Sequence, residues 1–282
     1  MNNTFFDFYK KTVKELKENR ISSAEIDAQI IFEFVTKKTR EFLLSNPDCE
    51  LKKSEIARIK KIVRLRCTHY PISYITGGKE FFGLDFDVSP DTLIPRPETE
   101  LIVEKALEFV EANKNRELSI LDIGTGSGNI IISIAKNTKS IEQKIIFFAS
   151  DISDKALRVA KKNNKKHQTK ISFKKSDLFS NIRGKFDLII ANLPYVPEGE
   201  SGNDEIRFEP KEAIFSGRDG ATTILRFLKQ AKKHLAKNGE ILIEADPRNI
   251  KKIQEYALQT YSDTKTYIDL SNKLRLLSIL SN

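Results

Sequence analysis

The sequence predicts an α/β fold, in which a mainly parallel sheet with helices on both faces follows an all-helical N-terminal domain. Two observations lead to this prediction. Apolar residues recur at helical spacing over residues 1–75, and from residue 97 onward short apolar strands alternate with helices. Such alternation is typical of parallel sheets that helices cover on both faces. A chain of 282 residues is long enough to bury a large core in such a fold.

The composition is that of a globular protein, with 39% hydrophobic and 31% charged residues. It excludes collagen-like, disordered and disulfide-scaffold proteins. Cys49 and Cys67 form no CxxC pair, and neither a secretory signal nor an apolar run of about 20 residues is present. These features predict a cytoplasmic protein without a metal site. The net charge of +9 indicates either lysine-rich helix faces or an acidic or nucleic-acid partner.

The N-terminal domain, residues 1–75, is predicted to be a helical bundle with three main helices. Ser22 and Glu25 form a capping-box pattern at the start of the second helix, and the third begins at Ser54. The inward residues are predicted to be Phe5, Phe8, Tyr9, Val13 and Leu16 in the first helix, Ile26, Ile30, Phe34 and Val35 in the second, and Ile56, Ile59, Ile62, Val63 and Leu65 in the third.

A linker, residues 76–96, precedes the α/β domain at 97–282. Alternating apolar residues predict a hairpin at 79–88 within the linker. In the α/β domain, strands are predicted at 119–123, 144–150, 171–174, 186–191 and 241–244, helices at 97–110, 129–136, 156–166, 222–235 and 250–259, and a hairpin over the last 18 residues.

A glycine-rich loop follows the strand at 119–123 and consists of Gly124, Thr125, Gly126, Ser127 and Gly128. Glycines allow positive φ and a close approach of the backbone to a ligand, while the helix that follows offers free N–H groups. The spacing is G-x-G-x-G instead of the dinucleotide pattern G-x-G-x-x-G. We therefore expect a mononucleoside with an amino-acid tail as the ligand, with a structural tight turn as the alternative.

Asp151 ends the next predicted strand. A carboxylate at this place in a doubly wound fold can accept hydrogen bonds from both hydroxyls of a ribose. The alternative is a plain helix cap, although Ser153 already provides one. Asp122, just before the glycines, could meet the amino group of the same ligand.

The turn Asn192-Leu193-Pro194-Tyr195 follows the strand at 186–191. Ligands of open α/β sheets bind at the carboxyl ends of strands, so the turn is a candidate reaction site. A planar NH₂ group is a poor nucleophile and must be held by hydrogen-bond acceptors. The Asn192 carbonyl and a backbone carbonyl beside Pro194 can accept its two hydrogens, and Tyr195 offers a flat face. The alternative is an ordinary Asn-x-Pro turn.

Three further segments, together with the glycine loop and this turn, carry a resemblance to a known family. They are Tyr74-Ile-Thr-Gly77 with Phe81-Phe-Gly-Leu84, Leu93-Ile-Pro-Arg-Pro-Glu-Thr-Glu100, and Phe208-Glu-Pro210 with Gly217-Arg-Asp-Gly220. The chain resembles the class I S-adenosylmethionine-dependent methyltransferases, and more closely the release-factor glutamine methyltransferases, the HemK/PrmC family. This resemblance covers nearly the whole chain.

The resemblance implies a Rossmann-like, seven-stranded, mainly parallel sheet and S-adenosyl-L-methionine as the cofactor. It implies methylation of the side-chain amide nitrogen (N5) of the glutamine in the Gly-Gly-Gln motif of class-1 peptide chain release factors. The bundle would bind the release factor, and neither membrane nor direct nucleic-acid binding is expected. The cofactor contacts would be Gly124, Thr125, Gly126, Ser127, Gly128, Asp151, Leu178 and Asn192, the substrate contacts Asn192, Leu193, Pro194 and Tyr195, and the catalytic residues Asn192, Pro194 and Tyr195.

Three places depart from the family pattern. Leu193 replaces the second residue of the usual Asn-Pro-Pro-Tyr, although Leu also occurs there in the related rRNA dimethyladenosine enzymes. Leu178 stands where many members carry an aromatic residue that would stack on adenine. The segment Glu244–Asn249 differs from the usual Glu-Ile-Gly…Gln, and we expect it to lie far from the motif chemistry and to affect packing more than turnover.

Two other functions remain open from the sequence. An adenine-N6 or other exocyclic-amine nucleic-acid methyltransferase would use the same turn, and the positive charge would suit phosphates, but no large target-recognition insert is evident. A non-catalytic partner of the translation machinery could retain the fold. The intact Asn192, Pro194 and Tyr195 argue against that.

Overall fold

The computed structural model describes residues 4–139, 143–200 and 204–281. These residues form two compact units. The first holds residues 4–77 together with 204–208, and the second holds the described residues from 78 to 200 and from 209 to 281. Among the described residues, no helix combines the length and the apolar content that a membrane span requires.

The first unit is helical, as predicted. Its helices are α1 (Phe5–Glu18), α2 (Ala24–Thr36), α3 (Arg40–Ser45), α4 (Lys53–Arg66) and α5 (Ile72–Thr76). The three long helices confirm the prediction, whereas the two short ones were not predicted. A side chain caps α1, because the Thr4 hydroxyl accepts the Asp7 N–H.

The inward face of α2 differs from the prediction. Ile26 is 62% exposed, and Ile30 and Phe34 are only partly buried. The helix buries Val35, as predicted, and also Ala24, Ala28, Ile31 and Phe32, which were not predicted. In α4, Leu65 is likewise 43% exposed. An ion pair explains why this face of α2 is turned inward, because Asp27 of α2 is buried against Arg66 of α4.

Arg66 is the charged centre of the first unit, with a side chain only 2% exposed. Its Nε donates to Asp27 Oδ2 at 2.6 Å, and its Nη2 donates to Glu205 Oε1 at 2.5 Å. Its Nη1 also donates to the Tyr70 carbonyl at 3.3 Å. Buried charges persist only when paired in this way. Arg66 thus ties residues 204–208, which are distant in sequence, to the helices of this unit.

The second unit contains the predicted hairpin and a seven-stranded sheet. The hairpin pairs β1 (Gly78–Phe81) with β2 (Leu84–Asp87). The sheet has the order β5-β4-β3-β6-β7-β9-β8, in which the first five strands are parallel and the last two pair antiparallel. Its strands are β3 (Leu118–Ile123), β4 (Ile145–Asp151), β5 (Ile171–Lys175), β6 (Phe186–Ala191), β7 (Leu235–Glu244), β8 (Asp263–Ile268) and β9 (Leu274–Leu280).

Five α-helices among the described residues cover the sheet of this unit. They are α6 (Glu100–Ala112), α7 (Asn129–Asn137), α8 (Asp154–His167), α9 (Thr222–Ala231) and α10 (Ile250–Leu258). Two apolar clusters lie in the second unit, and both include residues of the central strands β3 and β6. This explains why these strands read as nearly continuous apolar runs. The seven-stranded, mainly parallel sheet and the terminal antiparallel pair are confirmed.

The boundary between α9 and β7 differs from the prediction. The helix ends at Ala231, and the strand begins at Leu235, where the sequence predicted a helix. The predicted turn at Asn238-Gly239 lies inside the strand as an irregularity in its pairing with β6. A Cβ at Gly239 would lie 2.9 Å from the Ala236 carbonyl oxygen and 3.0 Å from that of Asp187, so a glycine is required for the bend.

Candidate active site

A cavity of about 510 Å³ lies in the second unit, beside the carboxyl ends of β3, β4 and β6. Ligand sites of small molecules commonly have volumes of about 300–1,000 Å³. Strand β3 pairs with β4 on one side and with β6 on the other, and ligands of doubly wound sheets bind where the strand order reverses in this way. The walls include the glycine loop, residues 151–156, residues 176–178 and the turn at 192–194.

The glycine loop has the positive φ angles that its sequence predicts. Gly124, Gly126 and Gly128 have φ values of +76°, +55° and +82°. A Cβ at Gly126 would meet no atom of the described residues within 4 Å, so they leave open space beside the loop there. A Cβ at Gly128 would lie 2.8 Å from the Ile132 Cδ1. The described residues that line the cavity include Gly124 to Ser127 but not Gly128. The glycine at position 128 is therefore needed for packing against its neighbours.

Asp151 lies at the end of β4 and lines the cavity. Its Oδ2 accepts the N–H of Gly126 and its Oδ1 accepts the N–H of Ser153, both at 2.9 Å. Burial raises the pKa of this carboxyl, while the backbone N–H groups that donate to it lower the pKa. These bonds fix the plane of the carboxylate, and each oxygen keeps a further lone pair for a ligand hydroxyl.

Asp122 lies beneath the glycine loop and is fully buried. Its Oδ2 accepts the Thr125 hydroxyl at 2.6 Å, whereas its Oδ1 has no hydrogen-bond partner among the described residues. Burial raises the pKa of Asp122 to about 7, against the lowering effect of Thr125. A buried acceptor without a donor is costly, so Asp122 can accept a hydrogen bond from a ligand or a water molecule.

Leu178 contributes an apolar wall of the cavity and is 6% exposed. Its φ is +48°, in the left-handed region that Leu rarely adopts. Such backbone strain is found disproportionately at functional sites. Leu178 therefore lies where the sequence places a contact to a planar base, although the contact itself stays a prediction.

The side chain of Asn192 has its NH₂ group fixed from two sides. Nδ2 donates to Thr99 Oγ1 and to Glu244 Oε2, both at 3.1 Å. Its carbonyl oxygen Oδ1 accepts no hydrogen bond from the described residues. Because Asn192 lines the cavity, this oxygen is the group that a ligand N–H can reach.

Tyr195 occupies a different position from the one that a stacking role requires. Its hydroxyl donates to Glu244 Oε1 at 2.8 Å, and its ring packs against the apolar core. Among the described residues, the cavity wall includes Asn192, Leu193 and Pro194 but neither Tyr195 nor Glu244. Burial and the neighbouring Glu244 raise the pKa of the Tyr195 hydroxyl, so it remains a donor.

The expectation that Glu244 lies far from the motif chemistry is wrong. Its carboxylate contacts both Asn192 and Tyr195. Strand register explains the contact, because Ala191 of β6 pairs with Ile243 of β7 and the next residues are therefore neighbours. A polar residue at the end of a strand that is otherwise apolar was the sequence feature that could have indicated this role for Glu244.

A buried carboxylate, which the sequence did not mark as a site residue, holds the segment that brings Arg96 to the cavity wall. The side chain of Glu209 is fully buried. Its carboxylate accepts hydrogen bonds from Nη2 of Arg96 and, at 3.0 Å, from the N–H of Ile94. Leu193, 5% exposed, packs its Cδ2 3.0 Å from the position that a Cβ on Gly124 would take. Leu93, Pro95, Arg96 and Thr99 of one segment of the resemblance and Pro210 of another thus line this cavity.

The arrangement suits the binding of a nucleoside-like ligand beside a planar donor group. The glycine loop and Asp151 offer backbone N–H and carboxylate contacts on one side of the cavity. Asn192 offers a carbonyl acceptor on the other side. A site with these contacts can hold an NH₂ group beside an electrophile, and such positioning supplies up to about 7–11 kcal/mol in model reactions.

Comparison with known proteins agrees with this description. Residues 7–77 match the family described as the PrmC N-terminal domain, and residues 114–275 match a family described as a methyltransferase domain. A release factor glutamine methyltransferase of Buchnera aphidicola subsp. Acyrthosiphon pisum (strain APS) is 34% identical over 95% of both chains. That of Koribacter versatilis (strain Ellin345) is 36% identical over 85% of this chain and 87% of the relative.

A solved structure supports the fold. The crystal structure of a methyltransferase from Pyrococcus furiosus has a TM-score of 0.52 and 18% identity, and the match covers 79% of this chain and 98% of that one. At this identity the likeness concerns the fold alone.

Proposed function

The chain belongs to the release factor glutamine methyltransferase family, and from that premise we propose its full reaction. The enzyme transfers a methyl group from S-adenosyl-L-methionine to the side-chain amide nitrogen (N5) of the glutamine in the Gly-Gly-Gln motif of class-1 peptide chain release factors. The observation that carries this proposal is the free Asn192 carbonyl in the same cavity as the glycine loop and Asp151.

The residues of the cavity suit S-adenosyl-L-methionine. Gly126 leaves room for close approach to the backbone, Asp151 offers acceptors for ribose hydroxyls, and Leu178 an apolar wall for adenine. Asp122 does not line the described cavity, but its Oδ1 has no donor among the described residues and would accept a hydrogen bond from the amino group of the methionine part beneath the glycine loop. When bound, the cofactor supplies an electrophilic methyl group on a positively charged sulfur.

The turn at 192–194 would hold the glutamine amide. The Asn192 Oδ1 accepts one amide hydrogen, and the backbone carbonyl of Leu193, next to Pro194, accepts the other. Leu193 in place of the family's Pro keeps this carbonyl, so the substitution is compatible with the same substrate. Tyr195 would act through Glu244, because its hydroxyl donates to that carboxylate.

These residues need to hold the nitrogen and its hydrogens, without acting as strong bases. The lone pair of an amide nitrogen is delocalised, so alignment is the main contribution that the protein can make. As the nitrogen takes the methyl group, the bond from methyl to sulfur would break and the two carbonyl acceptors would stabilise the positive charge that grows on the nitrogen. The N–H groups become acidic at that point, so one proton can leave to water and restore a neutral amide.

The substrate is a folded protein, so a second binding surface is expected. We assign it to the helical first unit, which matches the PrmC N-terminal domain. Release factors act at the ribosome, so this proposal places the enzyme in the cytoplasm.

The test is methyl transfer from labelled S-adenosyl-L-methionine to a class-1 release factor. A matched substrate carries Ala in place of the Gly-Gly-Gln glutamine. We expect one labelled methyl group per release factor, on the tryptic peptide that contains the motif, and none on the variant. Labelling of both proteins would contradict the proposal, and transfer to RNA or DNA at low or moderate salt would favour the nucleic-acid alternative.

Asn192→Ala is the matched enzyme variant. We expect its kcat to fall by about 10²–10³, as when one preorganised polar contact is lost in other enzymes. Circular dichroism should give the spectrum of the unmodified enzyme. Undiminished transfer by this variant would remove the turn from the mechanism.

A further inference from the structure

Glu244 is buried at the end of β7 and yet bonds to two residues of the reaction turn. Its side chain is fully inaccessible to solvent. The Oε1 accepts the Tyr195 hydroxyl at 2.8 Å, and the Oε2 accepts the Asn192 Nδ2 at 3.1 Å. A buried carboxylate is costly to keep, so its retention beside the turn calls for an explanation.

An asparagine amide can point either way with almost the same shape. Only its hydrogen-bond partners decide whether the carbonyl or the NH₂ group faces a given direction. An ionised carboxylate accepts and never donates, so Glu244 binds only the NH₂ end of Asn192. Thr99 accepts the second hydrogen of the same nitrogen at 3.1 Å. The carbonyl oxygen of Asn192 is thereby left for the cavity.

We propose that Glu244 is a positioning residue that fixes the Asn192 amide with its carbonyl oxygen toward the substrate. This inference rests on the proposed function, because the substrate must be a group with N–H donors. The flipped amide would present its own NH₂ to the substrate NH₂, and two donors facing each other repel. The carboxylate thus sets the polarity of the site while contacting neither substrate nor cofactor.

The charge state of Glu244 is part of this role. Burial raises the pKa of Glu244, while hydrogen bonds from Thr99 and Tyr195 lower it. Among the groups around it, Arg275 of β9 favours the ionised form and Glu98 opposes it. Protonation would turn one acceptor oxygen into a donor and release the Asn192 amide. We therefore expect kcat to fall on the acid side as Glu244 takes up a proton.

The decisive experiment exchanges the polarity of the pair. In Glu244→Gln a single carbonyl oxygen replaces two acceptors, so either the Asn192 NH₂ or the Tyr195 hydroxyl is left facing an NH₂ group, and kcat should fall about 10–100-fold. Asn192→Asp places two carboxylates side by side, and its kcat should fall at least 100-fold. In the double variant the glutamine NH₂ can donate to the new aspartate, and the glutamine carbonyl can still accept the Tyr195 hydroxyl. The double variant should therefore be at least tenfold faster than Asn192→Asp alone.

Glu240→Gln is the matched control. Glu240 lies on the same strand, is partly buried and accepts the Ser278 hydroxyl at 2.5 Å, away from the turn. Its variant should keep the kcat of the unmodified enzyme. For Glu244→Gln and Glu240→Gln, calorimetry should give an unchanged Kd for S-adenosyl-L-methionine, because neither Glu244 nor Glu240 lines the described cavity.

Two results would overturn the inference. One is a Glu244→Gln enzyme as fast as the Glu240→Gln control, and the other is a double variant no faster than Asn192→Asp. If the unmodified enzyme methylates no release factor, the proposed function fails instead, so the two failures are distinguishable.

Should the Glu244 variants not fold, Tyr195→Phe decides the question. This variant keeps the ring but removes one donor to Glu244, so the carboxyl should become easier to protonate. The acid limb of its kcat profile should move to higher pH while the Kd for the cofactor stays the same. A purely structural role would leave the acid limb in place, and that outcome would refute the inference.

Discussion

Two alanine substitutions in the glycine loop should separate its packing role from its binding role. Gly126 and Gly128 both have positive φ, at +55° and +82°. An L-residue in the left-handed region costs about 1–2 kcal/mol. Gly128→Ala also places a Cβ 2.8 Å from the Ile132 Cδ1 and 3.3 Å from the Ala160 Cβ. Gly126→Ala meets nothing within 4 Å.

The neighbours of Gly128 have little freedom to move. Ile132 and Ala160 are both fully buried, and overpacking of this kind costs about 1–3 kcal/mol. The free energy of unfolding should therefore fall by about 2–5 kcal/mol in Gly128→Ala and by about 1–2 kcal/mol in Gly126→Ala. For a domain of this size each kcal/mol lowers Tm by about 2–4 °C. Because of the additional overpacking, the Tm of Gly128→Ala should thus be about 2–12 °C lower than that of Gly126→Ala.

Cofactor binding should respond in the opposite order. Gly126 lines the cavity and donates its N–H to Asp151, so a methyl group there occupies space next to the ligand. We expect a Kd for S-adenosyl-L-methionine raised about 10–100-fold in Gly126→Ala, which corresponds to about 1.4–2.8 kcal/mol. The folded fraction of Gly128→Ala should keep nearly the original Kd. Equal stability losses, or equal affinity losses, would refute this division of roles.

Three further predictions concern buried charges. Asp122 has its pKa raised from 3.8 to about 7, so between these values the folded protein binds a proton that the unfolded chain has lost. The free energy of unfolding should therefore fall as the pH rises from about 4 to 7, and Asp122→Asn should weaken this dependence in Tm measurements from pH 5 to 8. Arg66→Met leaves the buried Asp27 without its ion-pair partner and should destabilise the first unit by about 3–5 kcal/mol. This loss should be measured as faster amide exchange in α2 and α4. The double variant Arg66→Met/Asp27→Leu should recover the lost stability. Glu209→Ala leaves Arg96, which lines the cavity, without its carboxylate, so kcat/KM for the release factor should fall, as measured by steady-state kinetics.

The sequence predicted those parts of the fold that depend on local pattern. Strands β3 and β6 are apolar almost throughout because both faces are covered, and glycine spacing marked the loop between β3 and α7. The face of α2 was mispredicted because a charge pair overrode apolar periodicity. Ile26 looks like a core residue in a list of apolar positions, but Asp27 is drawn inward by an arginine of another helix.

The candidate site was predicted unevenly for a similar reason. Motifs identified Asp151 and Asn192 because these residues belong to short, continuous patterns. Glu244 was missed because its meaning depends on strand order, which brings the ends of β6 and β7 together although they are distant in sequence. Once Ala191 is paired with Ile243, the contact between Asn192 and Glu244 follows from geometry alone.

Three acidic residues at this edge of the sheet are buried, a property that the sequence motifs do not show. Asp122, Asp151 and Glu244 lie at or near the ends of β3, β4 and β7, and burial raises the pKa of each. Each therefore costs folding free energy that an amide or apolar residue would not. Each also fixes a polar group at the cavity: the Thr125 hydroxyl, the Gly126 N–H or the Asn192 amide. Alignment of groups is the main contribution that the protein can make to the reaction. Removing any one of these charges should therefore add less to the free energy of unfolding than it adds to the activation free energy of the reaction.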